Sequence, residues 1–208
     1  FPELCNDVYK HTFEVLDTLK QVGITPEWVQ VGNEIPGGML WPDGSTSNWS
    51  QLAQLLNKGY DATKAVDPKI KVIVHLDEGN NNAKYRTFFD NATQHGVRYD
   101  VIGMSYYPYW INKSYKATLG DLVGNMNDMI ARYNKDVMIV EIGEEDRLVD
   151  ETYNMLTAVI KAVRAIPGKL GLGVIYWEPE GARSWSHYAL GCWQDDGKPS
   201  PALDAFRK

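Results

Sequence analysis

The stretch EWVQVGNEIPGGMLWPDG, Glu27–Gly44, opens as an apolar strand and turns into a loop of Gly, Pro and aromatic residues. Trp28, Val29 and Val31 are strand formers, and the run ends at Asn33-Glu34. A solvated surface glutamate needs no such setting. A carboxylate delivered by a strand into a loop is a candidate functional group, and its place at the strand's carboxyl end decides how the rest of the chain is read.

Working outward, helical spacing over 6–22 precedes this strand (28–32), and Gly23 ends that helix. A second helix is predicted over 48–67, capped by Asn48 or Ser50 and stopped at Asp67-Pro68. IKVIVHL at 70–76 is a β-branched run, the mark of a strand buried on both faces. Helices at 82–95, 117–134 and 149–165 then alternate with strands at 99–107, 136–142 and 172–179, and a short helix near 200–207 closes the series. Such alternation means parallel strands covered by helices, either as an open doubly wound sheet or as a closed barrel. No G-x-G-x-x-G follows the first strand, which counts against a dinucleotide fold. Asn33-Glu34, His75, Tyr106-Tyr107, Glu141 and Trp177-Glu178 end five different strands. That is the active-site face of a (β/α)8 TIM barrel, whereas an open sheet gathers its ligands at one switch point. The sequence is therefore α/β of the (β/α)8 TIM-barrel type, with about five β/α units and residues 1–208 as a single catalytic domain.

The net charge of −6 argues against nucleic acid as a partner, because phosphate binding needs clustered Lys and Arg. No apolar run approaches the roughly 20 residues of a membrane span. Seven Trp and twelve Tyr are the one excess in composition, and exposed aromatics suit the flat apolar faces of sugars. Cys5 and Cys192 permit one long-range bridge but read better as two thiols. N-x-S/T sequons occur at Asn48, Asn91 and Asn112 and matter only in a source that glycosylates. The opening residues read as helix rather than as a signal peptide, so a mature or truncated product is expected.

Glu34 and Glu141 each terminate an apolar strand, three β/α units apart. Two carboxylates converging across a barrel mouth are the minimum machinery for glycoside cleavage: one protonates the leaving oxygen while the other attacks the anomeric carbon. The plain alternative is that each pairs with a nearby Lys or Arg. Asn33 suits a sugar hydroxyl beside the attacked carbon, or a turn. His75 is either a satisfied core histidine or a polar substrate contact. Tyr107 suits orientation of a carboxylate, Tyr106 suits packing, and Trp177 suits stacking beneath the sugar. Trp41, Trp110 and Trp185 lie in loops after strands, as platforms for neighbouring sugars or as loop anchors. Glu144, Glu145 and Asp146 in EIGEEDR are expected to form a solvated loop. HLDEGNNN, with Asp77 and Glu78, is rich in oxygen donors but lacks the spacing of a calcium loop. No zinc spacing and no G-x-S-x-G elbow occurs, so no metal site is assigned.

Taken together, TPEWVQVGNEIPGGMLWPDG, VIVHLDEG, YDVIGMSYYPYW, VMIVEIG, GLGVIYWEP and GKPSPALDAF resemble glycoside hydrolase family 53, the arabinogalactan endo-β-1,4-galactanases. The resemblance covers essentially the whole chain in the family's order. It implies a retaining (β/α)8 enzyme acting on pectic galactan, with Glu34 as acid/base after Asn33 and Glu141 as nucleophile. It extends substrate contact to His75, Asp77, Tyr107 and Trp177 by position. Another β-linked glycan such as mannan, or a truncated non-catalytic carbohydrate-binding fragment, is the alternative. The first strand here matches the family's fourth, so the chain is expected to lack strands one to three, supplied by a second chain or segment. The resemblance implies no required cofactor, a possible structural Ca2+, and a secreted or cell-surface/periplasmic location set by the size of the polysaccharide. GEEDR after Glu141 is more acidic than the family pattern.

Overall fold

A computed structural model describes residues 1–207. The elements run α1 (Pro2–Gln21), β1 (Trp28–Gln30), α2 (Trp49–Val66), β2 (Lys71–Leu76), α3 (Asn82–Gln94), β3 (Val101–Tyr106), α4 (Tyr115–Tyr133), β4 (Asp136–Ile142), α5 (Val149–Arg164), β5 (Gly171–Val174) and α6 (Arg183–Ser186), with a 3-10 turn at Pro201–Arg207. The strands form one sheet in sequence order, with β1 parallel to β2 and β4 parallel to β5. Contacts divide the chain into two compact units, the first of Phe1–Asp77 with Ala83–Gly103 and the second of Glu78–Asn82 with Met104 onward.

In the first unit α1 packs on α2, and α2 begins at Asn48, whose side chain accepts from the Gln51 N–H. Leu52, Leu55 and Leu56 of α2 are fully buried, as are Val72 and Val74 of β2. Phe88, Phe89 and Tyr99 add an aromatic layer, with Phe89 5.3 Å from each of the other two rings. Asp100 locks the entry to β2. Its carboxylate accepts from the Val72 N–H at 2.8 Å and from Lys64 Nζ at 2.7 Å, tying strand to helix.

β1 is shorter than the 28–32 expected, and the backbone gives the reason. Gly32 (φ 79°) and Glu34 (φ 44°) leave the extended region, so the ladder is interrupted. Pairing resumes where the Ile35 N–H donates to the His75 carbonyl at 3.0 Å. β5 likewise ends at Val174 rather than near 179, after a register shift against β4 between Val137 and Ile139. Bonds from the Ile175 N–H to Ile139 O and the Trp177 N–H to Ile142 O carry the ladder on irregularly.

In the second unit the core is built from Met104 and Tyr106 of β3, Leu122, Met126 and Met129 of α4, Val137 and Ile139 of β4, and Leu156 and Val159 of α5, all buried. Tyr106 packs, as its position suggested, and its hydroxyl lies 2.7 Å from Thr118 Oγ1, with burial pushing the phenol up to about 12. Cys5 and Cys192 are free, buried thiols. Among the described residues no helix is long and apolar enough to cross a membrane.

Two helical glycines separate packing from propensity. A Cβ at Gly59 of α2 would sit 2.6 Å from Val31 Cγ1, whereas one at Gly124 of α4 meets nothing within 4 Å. Gly59→Ala should lose about 1–3 kcal/mol by overpacking, and Gly124→Ala should gain about 0.5–1 kcal/mol. Urea unfolding of the two variants beside the parent chain checks both signs.

Candidate active site

Each unit carries its own cluster of strand-end groups. In the first unit the positive φ of Glu34 turns its side chain out of the strand, a conformation costing about 1–3 kcal/mol for a residue with a Cβ. His75 compensates. Its Nδ1 accepts from the Glu34 N–H at 3.3 Å, and a ring nitrogen lies within 4.8 Å of a Glu34 carboxylate oxygen. His75 is fully buried, and burial pushes its pKa down to about 4, so the imidazole is neutral at pH 7. With Nδ1 accepting, the proton sits on Nε2.

Asn33, Asp77 and Trp41, the other candidate contacts of this unit, have partners of their own. Asn33 is exposed, and its Oδ1 accepts from Gln30 Nε2 at 3.0 Å. Asp77 forms an ion pair with Lys84 at 3.0 Å. Trp41 is 71% exposed, its ring over Gly37, where a Cβ would approach Cζ2 to 3.0 Å.

In the second unit the Tyr107 hydroxyl donates to Glu141 Oε2 at 3.0 Å. Glu141 is buried, 8% exposed. Burial and the adjacent Glu141 charge push the Tyr107 phenol far up, so it is a permanent donor; Tyr188 is a further hydrogen-bond partner. Gly143 makes room for this ring: a Cβ there would lie 2.9 Å from Tyr107 Cε1. Trp177 is half-exposed beyond β5, and Trp185 projects from α6. Trp110 is exposed and stands edge-on to Tyr109, ring centroids 4.9 Å apart.

The segment after Glu141 corrects the expectation of a solvated loop. Glu144 is buried, and Asp146 takes both arms of Arg183, Nε to Oδ2 at 3.0 Å and an Nη to Oδ1 at 2.7 Å. The same Nη reaches Glu145 at 3.3 Å, and the Asp146 N–H donates to the Ala189 carbonyl. These acids fasten the loop to α6 rather than face water. In the HLDEGNNN loop the oxygens are engaged by protein donors: Lys84 at Asp77, and Asn81 Nδ2 at Glu78 Oε2 (2.9 Å).

The family model for Glycosyl hydrolase family 53 matches residues 1–199. The chain belongs to glycosyl hydrolase family 53. A Niallia circulans protein described as "Uncharacterized protein in bgaB 5'region" is 35% identical over 92% of this chain and 59% of its own length. An arabinogalactan endo-beta-1,4-galactanase of Thermothelomyces thermophilus is 29% identical over 88% of this chain and 59% of its own length. The solved Ignisphaera aggregans GH53 catalytic domain superposes with TM-score 0.87 at 28% identity, covering 99% of this chain and 65% of that one. This family 53 chain thus has the fold of five β/α units of a (β/α)8 barrel, and spans about 59% of the curated relatives it matches.

Within the family 53 chain, sequence reading missed Tyr188, Gly143, Arg183 and the burial of Glu144. Only Gly143, adjoining a strand end, carried a local signal.

The buried His75 sets a pH dependence. Its folded pKa of about 4 lies below the ordinary 6.5, so between these values the unfolded chain binds more protons. Stability is therefore full above pH 6.5 and falls as pH drops towards 4, by up to about 1.4 kcal/mol per pH unit. His75→Asn, which keeps an acceptor near Nδ1, should flatten this slope in urea titrations between pH 4.5 and 7.

Proposed function

We propose that this family 53 chain carries the catalytic carboxylates of a retaining endo-β-1,4-galactanase acting on pectic galactan, with Glu34 as acid/base and Glu141 as nucleophile. The observation that carries the reading is that each carboxylate, Glu34 just beyond β1 and Glu141 at the carboxyl end of β4, lies beside a dedicated uncharged partner: neutral His75 at Glu34, and the Tyr107 hydroxyl at Glu141. The arabinogalactan endo-beta-1,4-galactanase name of the Thermothelomyces relative supplies the substrate class.

Glu141 attacks the anomeric carbon while protonated Glu34 gives its proton to the departing glycosidic oxygen, leaving a galactosyl ester on Glu141. Glu34, now a carboxylate, takes a proton from water, whose oxygen attacks the same carbon and releases Glu141. Tyr107 donates to one Glu141 oxygen and leaves the other oxygen to attack. Neutral Nδ1 of His75 holds the Glu34 backbone without adding charge. Asn33 contacts the hydroxyl beside the attacked carbon, Asp77 contacts a neighbouring hydroxyl, and Trp177 lies beneath the sugar. Trp41, Trp110 and Trp185 carry further sugars.

An apolar groove of about 380 Å³ runs between α1 and β1, lined by Leu4, Val8, Val29, Val31, Met39 and Leu40. In the working enzyme further β/α units fill this groove, whichever chain provides them. A polysaccharide substrate of this size is met outside the cell.

The first product released from galactan should be the β-anomer by proton NMR; an α-anomer overturns the retaining assignment. Glu34→Gln and Glu141→Gln should each cost on the order of 10²–10⁴ in rate. Mannan in place of galactan as the preferred polymer would reassign the sugar, and binding without products would leave a carbohydrate-binding fragment.

A further inference from the structure

We propose that a second groove, between the loop after β3 and the loop after β4, is a subsite for one more sugar of a neutral galactan chain; this rests on the galactanase reading. The groove holds about 720 Å³ and is lined by Tyr109, Asn112, Lys113, Ser114, Glu144 and Glu151 among others. That is within the usual range of small-ligand sites, about 300–1,000 Å³. Both walls leave from the same hydrogen-bonded pair. Tyr109 lies two residues beyond Tyr107, and Glu144 three beyond Glu141. The groove thus begins two and three residues along the chain from the Tyr107–Glu141 hydrogen bond.

The lining is arranged in advance. Glu144 forms the floor, 6% exposed, with Oε1 accepting from the Glu145 N–H at 2.9 Å. Burial pushes its carboxyl pKa upward, against the Glu145 N–H that holds it down. Ser114 Oγ donates to Glu151 Oε1 at 3.2 Å, and Lys116 lies 3.6 Å from Glu151 Oε2. Asn112, in a left-handed turn (φ 52°), and Lys113 are exposed at the rim. The ring of Tyr109, braced edge-on by Trp110, offers one flat face.

This chemistry selects the class of ligand. An anion would meet three glutamates against one lining cation, the exposed Lys113. A cation would find them already compensated, Glu151 by Lys116 and Glu145 by Arg183, with desolvation opposing charge on Glu144. An apolar ligand would leave the carboxyls and hydroxyl unpaired. A hydroxyl-rich neutral ring satisfies donors and acceptors together and stacks on Tyr109.

The test titrates β-1,4-galactotetraose into the chain and follows backbone amide resonances. Amides of Lys113, Ser114 and Glu144 should shift and saturate. Tyr109→Ala and Glu144→Leu should each weaken this binding about tenfold, while Glu144→Gln, which keeps an uncharged donor and acceptor, should stay within about twofold. Absence of shifts at these amides, or parental affinity in Tyr109→Ala and Glu144→Leu, overturns the subsite. Product release from galactan judges the catalytic reading separately. Hydrolysis without groove shifts removes only the subsite, and groove shifts that persist in Glu141→Gln show the subsite to be independent of the catalytic assignment.

Discussion

A strand buried on both faces has nowhere along its length to place an uncompensated polar side chain, because each such group would forfeit its hydrogen bonds to water. β2, β3 and β4 obey this constraint: past the partly exposed first residues Lys71 and Asp136, their polar groups appear only near the carboxyl ends, as His75, Ser105 and Glu141. The site follows from the packing. Once the strands are apolar, the loops that leave them are the first places where a carboxylate, a phenol or an imidazole can find partners. Those partners are Tyr107 for Glu141 and the Glu34 backbone for His75.

This explains which parts of the protein were legible in the sequence. β4 was read to the residue because DVMIVEI is apolar from Val137 up to Glu141 and bounded by charge. Glu34 and Glu141 stood out for the same reason. The limits of β1 and β5 were overrun, since their ends are set by left-handed backbone at Gly32 and Glu34 and by a register shift, neither of which has a periodic signal. The most misleading stretch was GEEDR. Four charged residues in a row read as solvated, yet their partner Arg183 lies 37 positions beyond Asp146, and no local pattern announces it. Asp77 illustrates the converse. It lies where a substrate contact was expected, and the structure gives its carboxylate a lysine.

Electrostatics divides the two clusters by method rather than by strength. At His75 the environment removes charge, through complete burial of an imidazole. At Glu141 it tolerates charge, through a hydroxyl that cannot ionise in its surroundings. One carboxylate thus sits beside a group kept neutral by desolvation and the other beside a donor kept protonated by it. Carboxylate chemistry that needs one acid and one base calls for such unequal settings.

The left-handed backbone at Glu34 has a consequence for how this position drifts over time. Glycine or asparagine occupies φ near 44° at little cost, whereas glutamate pays conformational strain there. Selection for folding alone would replace Glu34, and under the proposed acid/base role a lineage released from that chemistry should do so early. Such a lineage would gain thermal tolerance as it lost its carboxylate, so that the sturdier descendant would be the one that had stopped working.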